Sequence, residues 1–143
     1  MSIKSTVEAL CKKYDTRDPF EISTRRGVMI MLEPLGTIRG YYARSYRKQV
    51  IHVNSDLEEH QLLFTCAHEL AHSVMHPSLC TPFLRANTLL SVDRLEVEAN
   101  RFAVDLIYSD EEMQDYLQYP VSDISRCLNL PEPLVEYRLR SIQ

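Results

Sequence analysis

The 143-residue chain lacks several features that would place it in a common class of protein. No apolar run approaches the ~20 residues that cross a membrane, and the first ten residues, M-S-I-K-S-T-V-E-A-L, lack the apolar centre of a signal peptide. The formal net charge is −4, which gives no sequence-wide reason to expect nucleic-acid binding. We therefore expect a cytoplasmic protein that neither enters membranes nor binds DNA or RNA directly.

The cysteines lack the spacing of a metal-binding or redox motif. Cys11, Cys66, Cys80 and Cys127 are far apart and form no C-x-x-C pair. Reduced and mostly buried thiols are therefore expected, in agreement with a cytoplasmic location. The composition, with 45% hydrophobic and 25% charged residues, is that of an ordinary globular domain.

The stretch T-C-A-H-E-L-A-H-S-V-M-H, residues 65–76, carries most of the recognisable chemistry. It contains H-E-x-x-H, formed by His68, Glu69 and His72. Residues four apart lie on one face of a helix, about one turn from each other, so the two imidazoles can bind one metal ion. The adjacent glutamate then faces a water molecule on that ion and can act as a general base.

Three fixed residues in five can occur by chance, so an amphipathic helix with two solvated histidines is the alternative. The apolar periodicity argues against it, because His68, Glu69 and His72 share one side of the helix and apolar residues fill the other. Those apolar residues are Leu62, Leu63, Cys66, Ala67, Leu70 and Val74. This pattern is typical of a buried helix that faces a site.

A catalytic zinc site needs a third protein ligand. His76 continues the i, i+4 series, but it lies eight residues from His68, or ~12 Å along the helix axis, which is too far to share one ion. No glycine follows Gly40, which excludes a third histidine after a glycine turn. The ligand is therefore expected further along the chain.

The helix expected at residues 91–108 offers two glutamates. Its apolar stripe is formed by Val92, Leu95, Ala99, Phe102, Ala103 and Leu106. Glu96 lies inside the stripe, whereas Glu98 lies on the polar side, where arginines can pair with it. A carboxylate that faces a core needs a partner such as a metal, so we choose Glu96. Asn100, one turn later, is a candidate hydrogen-bonding partner for a ligand.

These motifs resemble the ImmA/IrrE family of zinc metallopeptidases. H-E-L-A-H-x-x-x-H is followed further along the chain by E-x-E-A-N-R-F-A, and softer matches extend over residues 18–139. The resemblance implies a zincin-like fold in which His68, His72 and Glu96 bind zinc and Glu69 is the general base. The chain departs from the family at residues 106–109, which read L-I-Y-S where L-L-M-P is common, and this concerns the turn after the helix.

The resemblance also implies a function. Members of this family are often encoded by phages and other mobile elements, and several cleave helix-turn-helix repressors, which releases silenced genes. It implies a zinc-dependent endopeptidase whose partner is such a repressor. The alternative is a non-catalytic interaction module that inactivates or protects a regulator by binding, and substitution of Glu69 by glutamine would separate the two.

The periodicities predict an α+β fold in one domain, residues 1–143. Residues 1–54 are expected to hold helices at 2–14 and 20–26 and strands at 28–32, 37–44 and 49–53. Residues 55–108 are expected to hold the two metal-binding helices, joined by residues 80–90 along the cleft, and residues 109–143 a C-terminal helical segment. A capping box at residues 55–58 is expected to start the H-E-x-x-H helix. The three-stranded sheet is expected to pack on that helix and on the second ligand-bearing helix, with short helices at 111–118, 121–128 and 131–142.

Three assignments stay open at this point. The side chain that stabilises the oxyanion could be Tyr41, Tyr42, His52 or His76. His76 is equally compatible with a hydrogen bond to a metal ligand and with a plain helix-end cap. The strand at residues 37–44 or the one at 49–53 could form a sheet edge that receives the substrate as an added strand.

Overall fold

The computed structural model describes residues 2–79 and 92–142, which form seven helices and a three-stranded sheet. In chain order the elements are α1 (Ile3–Tyr14), α2 (Pro19–Arg25), β1 (Met29–Glu33), β2 (Gly40–Ser45), β3 (Lys48–Asn54), α3 (Glu59–Met75), α4 (Val92–Ile107), α5 (Asp110–Gln114), α6 (Val121–Leu128) and α7 (Glu132–Arg140). The α+β class and the three strands agree with the prediction. No helix within the described ranges is long and apolar enough to cross a membrane. Cys80 and the segment 80–90 lie outside the described residues.

Two helix ends follow from local sequence signals. Gly27, just beyond α2, has a φ of 82°. Asn129 ends α6 with a φ of 55°. Glycine and asparagine adopt this left-handed conformation at low cost, which lets the chain leave a helix abruptly. Each helix therefore ends at a residue suited to that conformation.

The start of α3 differs from the prediction. The helix begins at Glu59, and the N-cap residue Glu58 makes no side-chain cap hydrogen bond. Asn54 holds the preceding residues in a turn, because its Oδ1 accepts from the Asp56 N–H at 2.9 Å. Its carbonyl oxygen also accepts from the Leu57 N–H at 3.3 Å. This local alternative keeps residues 55–57 out of the helix, so the predicted capping box is wrong.

The sheet has the order β1-β3-β2, with β1 parallel and β2 antiparallel to β3. Since β3 is the central strand, residues 49–53 cannot form a sheet edge, and β2 is the edge strand of the two that were considered. The inner face of the sheet carries the fully buried Tyr42, Ile51 and Val53. These side chains belong to the main core, which also includes Leu70 of α3.

The first residue of β2 sets the distance between the sheet and α3. A Cβ atom at Gly40 would lie 2.6 Å from the His52 carbonyl oxygen and 2.7 Å from Thr65 Cγ2. Both distances are shorter than van der Waals contact. Thr65 lies one helical turn before Glu69, so the missing side chain lets the strand approach α3 next to the H-E-x-x-H motif.

The C-terminal helices pack on α4 in a second buried cluster. Arg138 of α7 is 0% exposed. Its Nη2 donates to the Tyr108 carbonyl oxygen and to Asp110 Oδ1, both at 2.7 Å. Asp105 of α4 is also fully buried, and its Oδ1 lies 3.6 Å from Arg138 Nε. Arg138 is therefore a structural cation inside the protein, and it is not available to bind a nucleic acid.

The close approach at Gly40 predicts a loss of stability in Gly40→Ala. The added methyl group should lower the free energy of unfolding by about 1–3 kcal/mol because it overpacks a backbone contact. Urea denaturation measures the effect. The control is Ala43→Ser, at a half-buried position of the same strand, which should leave the midpoint nearly unchanged. An increase in stability on Gly40→Ala, as expected for a relaxed glycine site, would contradict the prediction.

Candidate metal centre

The three side chains of the H-E-x-x-H motif are buried together on α3. His68 is 9% exposed, Glu69 2% and His72 0%. A nitrogen or oxygen of each lies within 4.8 Å of those of the other two. Buried groups of this kind need polar or charged partners, and α4 packs against α3 where they lie.

Glu96 of α4 reaches the same point. Its Oε2 lies 3.0 Å from His68 Nε2, and its Oε1 lies 2.8 Å from His72 Nε2. Two imidazole nitrogens and one carboxylate therefore converge from two helices. This donor set suits a divalent cation, and zinc in particular, so the residues fit the metal that the motif implies.

Asn100, one turn after Glu96, orients the first imidazole. Its Oδ1 lies 2.8 Å from His68 Nδ1. An amide oxygen only accepts hydrogen bonds, so His68 Nδ1 carries a proton and donates it. With a proton on Nδ1, Nε2 is the ring nitrogen that points to Glu96 and that would be left to bind a metal ion.

His76 and Glu98 orient the second imidazole. His72 Nδ1 lies 3.1 Å from His76 Nδ1, and His76 Nε2 lies 3.1 Å from Glu98 Oε1. The Glu98 carboxylate accepts from His76 Nε2–H, so His76 Nδ1 accepts from His72 Nδ1–H. His72 Nε2 is then the ring nitrogen that points to Glu96 and that would be left to bind a metal ion. This geometry favours the hydrogen-bonding role of His76, although its backbone N–H also ends α3 by donating to the His72 carbonyl oxygen at 2.8 Å.

The electrostatics keep Glu96 charged. Burial raises the pKa of its carboxyl group, but the short contacts with the His68 and His72 imidazoles outweigh burial and hold the pKa well below its usual range. Burial lowers the pKa of His72. For His68, burial acts in the same direction, but the hydrogen bond to Glu96 and the charge of Glu69 raise the pKa overall. The carboxylate is therefore ionised at neutral pH, as a metal ligand must be.

A cleft of about 450 Å³ opens onto His68, Glu69 and Glu96. Its lining comprises Thr37, Ile38, Arg39 and Gly40 at the start of β2, together with Phe64, Thr65, His68, Glu69, Glu96 and Asn100. The part of the lining contributed by residues 37–40 was not predicted from the sequence. This part of the lining forms only when the chain before β2 folds over α3, and no local sequence pattern predicts that contact.

The four residues considered as oxyanion donors do not belong to this lining within the described part of the chain. The Tyr42 hydroxyl donates to the Pro77 carbonyl oxygen at 2.7 Å. The Tyr41 ring stacks on His52 with a centroid distance of 4.2 Å. His76 is occupied by its contacts with His72 and Glu98. The geometry therefore leaves these side chains with other partners.

Sequence comparisons relate most of the chain to known proteins. Residues 23–140 match the peptidase family model described as the IrrE N-terminal-like domain. The chain is 36% identical over 139 residues to the uncharacterized immunity region protein 2 of Bacillus phage phi105, which covers 95% of this chain and 88% of that protein. It is 29% identical over 146 residues to the metallopeptidase ImmA of Bacillus subtilis, and this match covers 98% of this chain and 85% of that protein.

A solved structure shares the fold. The chain superposes on a Mycobacterium tuberculosis transcriptional regulator with a TM-score of 0.62 at 18% sequence identity. The match covers 96% of this chain but 46% of that protein, so the chain spans about half of the larger one. At this identity the likeness establishes the fold alone.

The two glutamates of α4 make a matched pair for a metal-binding test. Glu96→Gln should weaken zinc affinity by well over tenfold, because the charged oxygens next to both imidazoles are lost. Glu98→Gln should have a smaller effect, because its amide oxygen can still accept from His76. Competition with a chromogenic chelator measures both. Equal losses in the two variants would exclude Glu96 as the third ligand.

The orienting role of His76 predicts that His76→Ala weakens zinc affinity about ten- to hundredfold while the protein stays folded. His60→Ala is the control, since His60 also lies on α3 but its Nε2 contacts the Tyr108 hydroxyl at 2.6 Å. Chelator competition gives the affinities, and circular dichroism checks folding. A plain helix-end role for the His76 side chain would leave the zinc affinity of His76→Ala at the wild-type value.

Proposed function

The chain belongs to the IrrE N-terminal-like family of metallopeptidases, and we propose that it is a zinc-dependent endopeptidase that cleaves a helix-turn-helix repressor at a specific site. The family expected from the two sequence motifs is thereby confirmed. The observation that carries the zinc proposal is the convergence of His68 Nε2, His72 Nε2 and the Glu96 carboxylate within 2.8–3.0 Å.

Each residue of the centre has a role in the proposed reaction. His68, His72 and Glu96 would hold the zinc ion. When bound, zinc supplies Lewis acidity, which polarises a carbonyl group and lowers the pKa of a water molecule. Glu69 Oε2 lies 3.9 Å from His68 Nε2. From there Glu69 would accept a proton from the attacking water and deliver it to the leaving amine.

The edge strand supports a polypeptide substrate. β2 begins at the cleft, because Gly40 and Glu69 both belong to its lining. An extended peptide that pairs with the start of β2 would place its own carbonyl groups across the cleft in a regular register. This mode binds the main chain of the substrate, so its side chains can be selected elsewhere.

The proposed substrate class rests on the relatives. One is named as a phage immunity region protein and another as a metallopeptidase. A peptidase in such a region would act on a regulator, and we extend this to a helix-turn-helix repressor in the cytoplasm. Cleavage of that repressor would relieve the silencing of phage or mobile-element genes. The alternative is a module that inactivates or protects the regulator by binding alone.

Substitution of the proposed base separates cleavage from binding. Glu69→Gln keeps the three proposed ligands, so zinc content should stay the same while cleavage falls by about 10²–10⁴-fold. The purified protein is incubated with the product of the neighbouring regulator gene, and fragments are detected by mass spectrometry. Wild-type protein with a chelator is the control and should give no fragments. A Glu69→Gln variant that still relieves silencing in cells would favour the binding module.

A further inference from the structure

A second groove continues from the cleft toward the C-terminal helices. It has a volume of about 680 Å³ and runs between α3, α4 and the turn from α6 to α7. Arg39, Phe64, Thr65 and Asn100 line both the cleft and this groove. A polypeptide whose scissile bond lies beside Glu69 would therefore extend into the groove on one side of that bond.

The floor of the groove is apolar. Phe64 of α3 and Val97 of α4 lie on one side, and Leu130 and Leu134 lie on the other. Val97 is 46% exposed, so it offers apolar surface to a ligand. Leu130 and Leu134 are buried members of the C-terminal cluster and give the floor a fixed shape. Such a floor suits one or two apolar side chains.

The rim of the groove is basic, although the whole chain has a formal net charge of −4. Arg39, Arg101 and Arg126 belong to the lining, and no acidic residue of the described chain does. Arg126 pairs with Asp123 outside the groove. Arg101 packs over a tyrosine ring with its guanidinium 4.8 Å from the centroid. Within the described residues neither Arg39 nor Arg101 makes an ion pair, so both guanidinium groups can pair with a carboxylate of a ligand.

We propose that the groove binds a segment of the polypeptide substrate in which an apolar side chain neighbours an aspartate or glutamate. The apolar side chain would lie on Phe64, and the carboxylate would pair with Arg39 and Arg101. This assignment rests on the proposed peptidase function. Guanidinium groups match carboxylates in geometry, and such pairs contribute mainly to specificity. The groove would therefore help select the site of cleavage.

The test uses zinc-loaded Glu69→Gln protein, which should bind peptides without cleaving them. The probe is an array of twelve-residue peptides in matched triplets, with glutamate, glutamine or lysine next to the same leucine or phenylalanine. The glutamate members should bind about fivefold more tightly than the glutamine members, the size expected for a partly exposed ion pair of about 1 kcal/mol. Arg101→Glu and Arg39→Glu, each in the Glu69→Gln background, should shift the preference toward lysine.

Arg47→Glu is the matched control. Arg47 lies in the turn beyond the far end of β2, about 20 Å of extended strand away from Gly40, so its reversal should leave the preference unchanged. Absence of binding, equal binding of the three members of a triplet, or an unchanged preference in the Arg39 and Arg101 variants would overturn the assignment. Tighter binding of a single-stranded DNA oligonucleotide than of the glutamate peptides would also overturn it.

The array result is independent of catalysis. Selective peptide binding together with a wild-type protein that cleaves no regulator would support the groove and reject the peptidase proposal. Cleavage of the regulator with no preference on the array would reject the groove and support the peptidase. The two proposals can therefore fail separately.

Discussion

The contact between the Glu96 carboxylate and two imidazoles of α3 is the interaction on which the rest of the structure depends. It joins two helices that are far apart in sequence, and it needs their axes to lie close together. Small residues permit this approach, because Ala67, Ala71, Ala99 and Ala103 are all fully buried in the same core. The apolar packing thus positions a carboxylate that alone would be costly to bury.

The five residues E-V-E-A-N of α4 contribute three side chains to the candidate site, and not only that of the proposed ligand Glu96. Glu96 contacts both rings directly, Asn100 orients His68, and Glu98 orients His72 through His76. Each ring is therefore held through Nδ1 by a different partner, while Nε2 faces the same point. Two helices thus bring these side chains together, and in the proposed reaction the sheet would be left to present the substrate.

The sequence predicts the features that repeat with the period of a helix. Glu96 stands out in the sequence because it interrupts an apolar stripe, and the helices expected at 20–26 and 121–128 are present as α2 and α6. Features that depend on distant segments were missed. The order of the strands places residues 49–53 in the centre of the sheet, and an asparagine turn outcompetes the capping box before α3. Glu98 reads as a solvated residue because its partner His76 lies on another helix.

The C-terminal helices form one wall of the proposed groove. Burying Arg138 would be costly without partners. The Tyr108 carbonyl oxygen, Asp110 and Ser141 Oγ all accept from its guanidinium at 2.7 Å. These bonds fix α7 against the end of α4, which in turn fixes Leu134 in the groove. A binding surface built on this rigid contact can discriminate between side chains, because it cannot reshape itself around the wrong one.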